Sequence, residues 1–213
     1  MRIACISAVK IEIEWLLNRL GSSQKHKIPG GRLWVGKIGS HRLGLFCCGV
    51  GPEKARRGMQ SLSSVFPAER VYHLGVCGSL TDSLEPGTPV IARAVISSYA
   101  AEQQAIELDP PGAGELENIA AETSPRLGLL LTHHKPVLSV EERKSLNSRY
   151  GADCVDMEAW EVASFCRTSG LPLTIIKTVS DTADSRAMIE FSRHSRRAAN
   201  TSCRLAHGLI LRL

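Results

Sequence analysis

The 213-residue chain is 43% hydrophobic and 22% charged, with a net charge of +5, which is ordinary globular composition. A chain of this length buries roughly 70% of its unfolded surface, so it needs no disulfide or structural metal to fold. It has no apolar run of about 18 residues, so no membrane span is expected, and its arginine clusters lack the interleaved aromatics of a nucleic-acid surface.

In chain order, residues 2–7 form a short apolar run that reads as a first strand, not as a signal peptide, because it has no long apolar core or cleavage site. A helix follows, with Ile11, Trp15, Leu16 and Leu20 on one face. Residues 32–49 alternate and turn at Gly39-Ser40, which predicts a hairpin. Gly49-Val50-Gly51-Pro52 opens a helix over about 52–65, with Pro at its first turn. A strand over Val71 to Val76 enters the Gly-rich turn Gly75 to Ser79, Glu85-Pro86-Gly87 turns the chain, and Pro89 to Ile96 is another strand. Residues 97–114 are polar and read as a loop. Leu116 to Thr123 reads as a helix, Leu127 to Leu131 as a strand and Val140 to Tyr150 as a helix. A strand at 153–155, a helix at 158–168, a strand at 172–179 and a long helix from about 187 to 212 complete the chain. Strands alternating with helices predict one α/β domain over residues 1–213, with a mixed or parallel sheet covered on both faces.

The seven cysteines, at 5, 47, 48, 77, 154, 166 and 203, lack metal spacing and lie mostly inside apolar runs. They read as reduced, buried small hydrophobes of a cytoplasmic protein. Arg56-Arg57 and Arg193 to Arg197 read as solvated helix faces. His133-His134 has no partner spacing for a metal, and Cys77 has no histidine placed by sequence to activate it.

Three carboxylates stand out, because each follows a predicted strand end. Glu12 comes after the first strand, Glu158 lies in Val155-Asp156-Met157-Glu158-Ala159, and Asp181 lies in Val179-Ser180-Asp181-Thr182-Ala183. Singly, Glu158 could merely complement a helix dipole, and Asp181 could be an N-cap. Together they converge where open α/β sheets bind ligands. One carboxylate of such a set can grip a polyol, and another can donate a proton if its surroundings raise its pKa. The turns Gly49-Val50-Gly51 and Gly75-Val76-Cys77-Gly78 allow close backbone approach, but neither is a Walker or dinucleotide fingerprint.

These segments resemble the nucleoside phosphorylase and nucleosidase superfamily over nearly the whole chain, most closely the methylthioadenosine/S-adenosylhomocysteine nucleosidases and related nucleosidases. Ala8 to Glu12 resembles the family's first strand-to-helix segment, with Glu12 on the catalytic glutamate. Gly75 to Leu80 resembles its Gly-Ser-Ala-Gly-Gly loop, Val155 to Ala159 its Val-Glu-Met-Glu segment, and Ser180 to Asp184 its Ser-Asp-x-Ala-Asp. The resemblance implies a three-layer α/β fold and cleavage of a purine N-glycosidic bond. Glu12 and Asp181 are then the catalytic pair. Met157, Glu158, Val76, Cys77, Gly78, Val137, Ser180, Phe191 and Lys177 belong to the substrate site. It implies no cofactor or metal, a small-molecule nucleoside substrate with no nucleic-acid partner, and a homo-oligomer, a dimer.

The chain departs from the family at points that bear on substrate. Val76 stands in place of a serine, Lys177 in place of an arginine, and His73 in place of a phosphate-binding arginine. Lysine does not replace arginine at a bidentate site, and Lys177 is expected to reach the cleft and balance Glu12 and Glu158. The 97–114 loop lacks the family's His-Asp-Ala-Asp-Val-Thr stretch, so the 5′ end of the pocket is expected to be open. Three readings stay open: a hydrolytic adenine nucleosidase with an unusual 5′ substituent, a phosphate-dependent phosphorylase, and a nucleoside-binding protein with impaired turnover.

Overall fold

The computed structural model describes residues 1–101, 104–112, 114, 116 and 124–213. The helix predicted over Leu116 to Thr123 falls, apart from Leu116, outside them.

Four parallel strands form the centre of a mixed sheet. In spatial order they are β4 (His41–Cys47), β1 (Arg2–Ser7), β5 (Arg70–Ser79) and β10 (Leu173–Asp181). Beyond β4 lie the antiparallel strands β3 (Gly31–Ile38) and β2 (Gly21–Ile28). On the other side the sheet curls. Strand β10 pairs with β6 (Pro89–Ser97), β6 with β8 (Arg126–Thr132), β8 with β9 (Cys154–Asp156), and β9 returns to β5. These pairings close β5, β10, β6, β8 and β9 into a ring, with β7 (Ile106–Glu107) added to the outside of β6. Closure removes an exposed edge and gathers the carboxyl ends of β5, β9 and β10 around one rim.

The central strands are apolar on both faces because both faces are covered. Ala4 and Ile6 of β1 pack with Ala55, Met59 and Leu62 of α2 (Pro52–Val65) and Val162 and Cys166 of α4 (Ala159–Thr168). Ile3 and Cys5, one residue out of phase, pack with Leu16 of α1 (Glu14–Leu17) and Cys203, Leu205 and Leu209 of α5 (Ala187–Ile210). Helix α5 carries a buried stripe of small residues, Ser195, Ala198, Ala199, Ser202 and Ala206, which lets it lie close against the sheet. Helix α3 (Val140–Tyr150) starts where Ser139 Oγ accepts from the Glu142 amide, and it ends at Gly151 at φ 63°.

Four elements differ from expectation. The first helix is only a 3-10 turn at Lys10–Glu12 and the single turn α1, interrupted at Ile13 with φ −122° and ψ 3°. The Glu12 carboxylate turns back to accept from the amides of Ala8 and Val9, just after β1. Strand β2 was not expected; its GSSQKHKI sequence is polar because the strand is an exposed edge. Strand β5 runs on through the Gly-rich segment to Ser79. Within the 97–114 loop, Ile106 and Glu107 pair with Val95 and Ala94. The seven cysteines are free and buried. Arg56 and Arg57 pair with Glu53, and Arg196 pairs with Glu14, as solvated helix faces do.

Candidate active site

A cavity of about 290 Å³ opens at the carboxyl ends of β1, β5, β9 and β10, the usual place for a ligand in an α/β sheet. Glu12, Val76, Cys77, Gly78, Val137, Met157, Glu158, Ser180, Asp181 and Phe191 all line it. No described residue of 97–114 does so. Residues that the sequence reading did not assign to the site also contribute: Ala8, Val9, Val50, Lys135, Leu138, Asp156 and Met188. A large apolar side chain beside a strand end carries no signal of its own, so periodicity could not have flagged Val9 or Val50.

Glu12 is held by backbone. Its Oε2 accepts from the amides of Ala8 and Val9 at 2.9 and 3.0 Å, and its Oε1 accepts from the amide of Val76 at 3.1 Å. The approach to β5 requires glycine at position 75. That residue has φ 151°, and a Cβ there would stand 2.4 Å from Glu12 Oε1. Burial raises the Glu12 pKa, opposed by Lys177 and by these amide bonds.

Glu158 sits at the start of α4, where its Oε1 accepts from the amide of Gly51 at 2.7 Å. The bond ties the α4 end of the site to the turn before α2. Burial, then the charge of Asp156, pushes the Glu158 carboxyl up to about 8, against the pull of Lys177.

Asp181 follows a β-bulge, where Val179 and Asp181 face the consecutive residues Cys77 and Gly78 of β5. A bulge re-aims the side chain that follows it. The Asp181 Oδ2 accepts from Ser180 Oγ at 2.7 Å, and its Oδ1 accepts from the Ala183 amide at 3.0 Å. Ala183 stands at φ 49° to make that bond. A side chain at position 78 would crowd Asp181, since its Cβ would lie 2.9 Å from Oδ1. Burial raises the Asp181 pKa, while the bonds from Ser180 and Ala183 oppose the rise. Both oxygens are fixed, and the carboxyl is shifted toward its protonated form.

Lys177 corrects one expectation, because it does not line the cavity. It projects across the strand ring to Asp156 on β9, with Nζ 3.0 Å from Oδ2, and lies 3.3 Å from Nε2 of His73 on β5. The Asp156 carboxylate also accepts from Thr132 Oγ1 at 2.9 Å and from the Ala159 amide at 3.1 and 3.2 Å. It therefore fixes the first turn of α4, next to Glu158. Burial disfavours the Lys177 charge, but Asp156, Glu12 and Glu158 more than offset it, so the ammonium is held above its ordinary range. Burial and the neighbouring Lys177 keep His73 well below its ordinary pKa, so it is neutral and accepts from Lys177. Among the described residues, the cation that does line the cavity is Lys135, and it pairs with Glu142 at 3.0 Å.

Three carboxylates at the strand ends, with one buried ammonium behind them, define a small-molecule site in an α/β protein. Residues 2–211 match the family described as the phosphorylase superfamily, and the chain belongs to it. It is 24% identical over 229 residues to a 5′-methylthioadenosine/S-adenosylhomocysteine nucleosidase of Actinobacillus succinogenes, covering 100% of both chains. Among solved structures, futalosine hydrolase of Helicobacter pylori superposes with TM-score 0.93 at 21% identity, over 100% of this chain and 98% of that one. The 5′-methylthioadenosine/S-adenosylhomocysteine nucleosidase of the same organism, complexed with a substituted pyrrolidin-3-ol, superposes with TM-score 0.92 at 22% identity, over 100% and 99%.

Proposed function

We propose that this protein hydrolyses the N-glycosidic bond of an adenine nucleoside whose 5′ substituent is other or larger than methylthio. The observation that carries the reading is the pairing of Asp181 and Glu12 across one cavity, each carboxyl fixed by two or three hydrogen bonds and shifted toward its protonated form by burial. Asp181 gives a proton to N7 as the bond from C1′ to N9 breaks and its electron pair passes into the purine. Glu12 orients water and takes its proton as the oxygen attacks C1′. Glu158 and Met157 hold the ribose, Glu158 accepting from its hydroxyls. Val76, Cys77, Gly78 and Ser180 flank the base, and Phe191 and Val137 cover the ligand. General acid and base steps of this kind contribute roughly 10²–10⁴-fold each.

Hydrolysis is favoured over phosphorolysis by what faces the cavity. Val76 offers no side-chain donor, His73 is turned onto Lys177, and Lys177 is spent on Asp156. A phosphate dianion there would confront Glu12 and Glu158 with little compensation, and desolvating it would be costly. The free sugar, still carrying its 5′ substituent, at a rate unchanged when phosphate is withheld, is the expected product. The corresponding sugar 1-phosphate as the main product would make the protein a phosphorylase. Asp181→Asn should keep the fold and lose about 10²–10⁴-fold in adenine release. Wild-type turnover by the folded variant would remove Asp181 from the mechanism. If the wild type binds adenosine but releases no adenine at stoichiometric enzyme, it is a binding protein instead. We further propose that residues 1–213 act as one domain, without metal or cofactor, as a cytoplasmic homodimer.

A further inference from the structure

We propose that Ser202 and Cys203, adjacent residues of α5, are positioning residues for Glu12, holding the backbone groups that aim its carboxyl at the cavity; this rests on the reading of Glu12 as the general base. Neither residue lines the cavity, and both are fully buried. Ser202 Oγ donates to the carbonyl of Gly75 at 2.9 Å. A hydroxyl has one proton, so the 2.8 Å contact between Thr178 Oγ1 and Ser202 Oγ is a bond donated by Thr178 of β10. The Gly75 carbonyl and the Val76 amide belong to one planar peptide group and point in opposite directions. On the far side of that group the Val76 amide donates to Glu12 Oε1 at 3.1 Å. A single directed chain therefore runs from the Thr178 hydroxyl through Ser202 and the 75–76 peptide to the Glu12 carboxyl. Each bond in such a chain polarises the next, by about 10–30%, and bonds donated to a carboxylate favour its ionised form.

Cys203 holds the other side of the same residue. Its thiol donates to the carbonyl of Glu12 at 3.0 Å and accepts from the amide of Leu16. In an uninterrupted helix that amide would bond that carbonyl directly. The sulfur stands between the two groups, at the interruption at Ile13. Two neighbours on one helix thus grip Glu12 by its own carbonyl and by the peptide that its carboxyl meets. Close packing of α5 on the sheet does not require a serine and a cysteine here. Alanine serves that purpose at positions 198, 199 and 206 of the same buried stripe. What alanine could not supply at 202 and 203 is the two hydrogen bonds.

Glu12 must be ionised to take a proton from water, so the acid limb of the kcat profile against pH follows Glu12, while the basic limb follows Asp181. The titratable groups facing Glu12 are Lys177 of β10, Glu158 at the start of α4, Cys47 at the end of β4, Cys48 beside it and Cys203. Burial pushes the three thiols up to about 11, 12 and 12, so they stay neutral near pH 7. Replacing Ser202 leaves all five groups in place. The test measures adenine release from 5′-methylthioadenosine by the full-length protein across pH. Ser202→Ala should move the acid limb up by about half a pH unit and leave the basic limb unmoved, which is a loss of about threefold in kcat below the limb. KM should change less than about twofold. Thr178→Val removes the first donor but keeps Ser202, and should give a smaller shift in the same direction. Cys203→Ala should lower kcat at every pH by about tenfold, and Cys203→Ser, which keeps a donor of similar size, should restore it. A folded Ser202→Ala protein whose acid limb matches wild type would overturn the proposal, as would equal losses in Cys203→Ser and Cys203→Ala. If Ser202→Ala does not fold, Thr178→Val decides: a raised limb supports the chain and an unmoved one overturns it. Wild-type turnover by Glu12→Gln would instead sink the base assignment, and this inference with it.

Discussion

Glu158 shows how a residue legible in the sequence gains its chemistry only from its surroundings. Its place at a helix start was compatible with a simple dipole acid. Burial beside Asp156 and Glu12 raises it from an ordinary 4.5 to about 8, so near neutral pH the empty site holds a proton there. A ribose hydroxyl donates better to the ionised form. The KM should therefore fall as pH rises from about 6 to 8 in wild type and stay flat in Glu158→Gln. The linkage to stability has the opposite sign. A carboxyl with a raised folded pKa binds its proton more tightly when folded, so its contribution is fully present below about 4.5 and is lost as pH rises through about 8. Wild type should lose stability relative to Glu158→Gln across that window, by at most about 1.4 kcal/mol per pH unit for one proton. Urea midpoints at pH 5, 6.5 and 8 measure the difference. Parallel curves for the two proteins would show that Glu158 is ionised throughout. Asp156, by contrast, was passed over in the sequence because it reads as an ordinary strand-end acid. Its role depends on a lysine twenty-one residues later, and only the closed ring brings the two together.

At the scale of elements, what the sequence revealed depended on burial. Strands β1, β5 and β10 are covered on both faces and announce themselves as apolar runs. Strand β2 is exposed along its length, so nothing in GSSQKHKI distinguishes it from a loop. Helix α1 was overestimated because Ile11, Trp15, Leu16 and Leu20 keep helical spacing although the backbone is interrupted at Ile13. Closure of the ring was not legible at all, since it rests on pairing between strands far apart in sequence. That closure makes Lys177 a structural cation. It spans from β10 to β9 and is, among the described residues, the buried ammonium facing Asp156, Glu12 and Glu158. Removing one partner of a buried pair typically costs about 3–5 kcal/mol, so Lys177→Met should be destabilised by that order at pH 7. Adding Asp156→Asn should recover part of the loss, because it removes the charge left unpaired. Acidification should also narrow the gap, as the carboxylates take up protons. A loss below about 1 kcal/mol in Lys177→Met, by urea unfolding at pH 7, would mean that water reaches Asp156 and that the ring interior is not dry.

For the whole molecule, the question is what completes the mouth of the site. The 97–114 loop was expected to leave the 5′ end of the pocket open, and no described residue of it lines the cavity. The rim meanwhile carries Val50, Leu138, Met188 and Phe191, which are 47%, 46%, 64% and 40% exposed. Apolar side chains in a contiguous group of this kind mark an interaction surface more often than scattered ones do, and covering them contributes about 25 cal/mol per Å². A second copy of the chain would bury the rim and supply the missing side of the 5′ pocket in one step. The proposed homodimer therefore has a kinetic signature as well as a mass. Sedimentation should give about twice 23.1 kDa at micromolar protein. On dilution to monomer the KM should rise, while adenine binding, which on the proposed reading rests on Asp181, Ser180 and β5 within one chain, should weaken less. Ile189 is 57% exposed on the same helical turn as Met188 but does not line the cavity, so Ile189→Glu can split the dimer without touching the ligand. That variant should sediment as monomer and show the raised KM at all concentrations. A wild-type protein that sediments at 23.1 kDa with full activity would show instead that one chain closes its own site, and the exposed rim would then need another explanation.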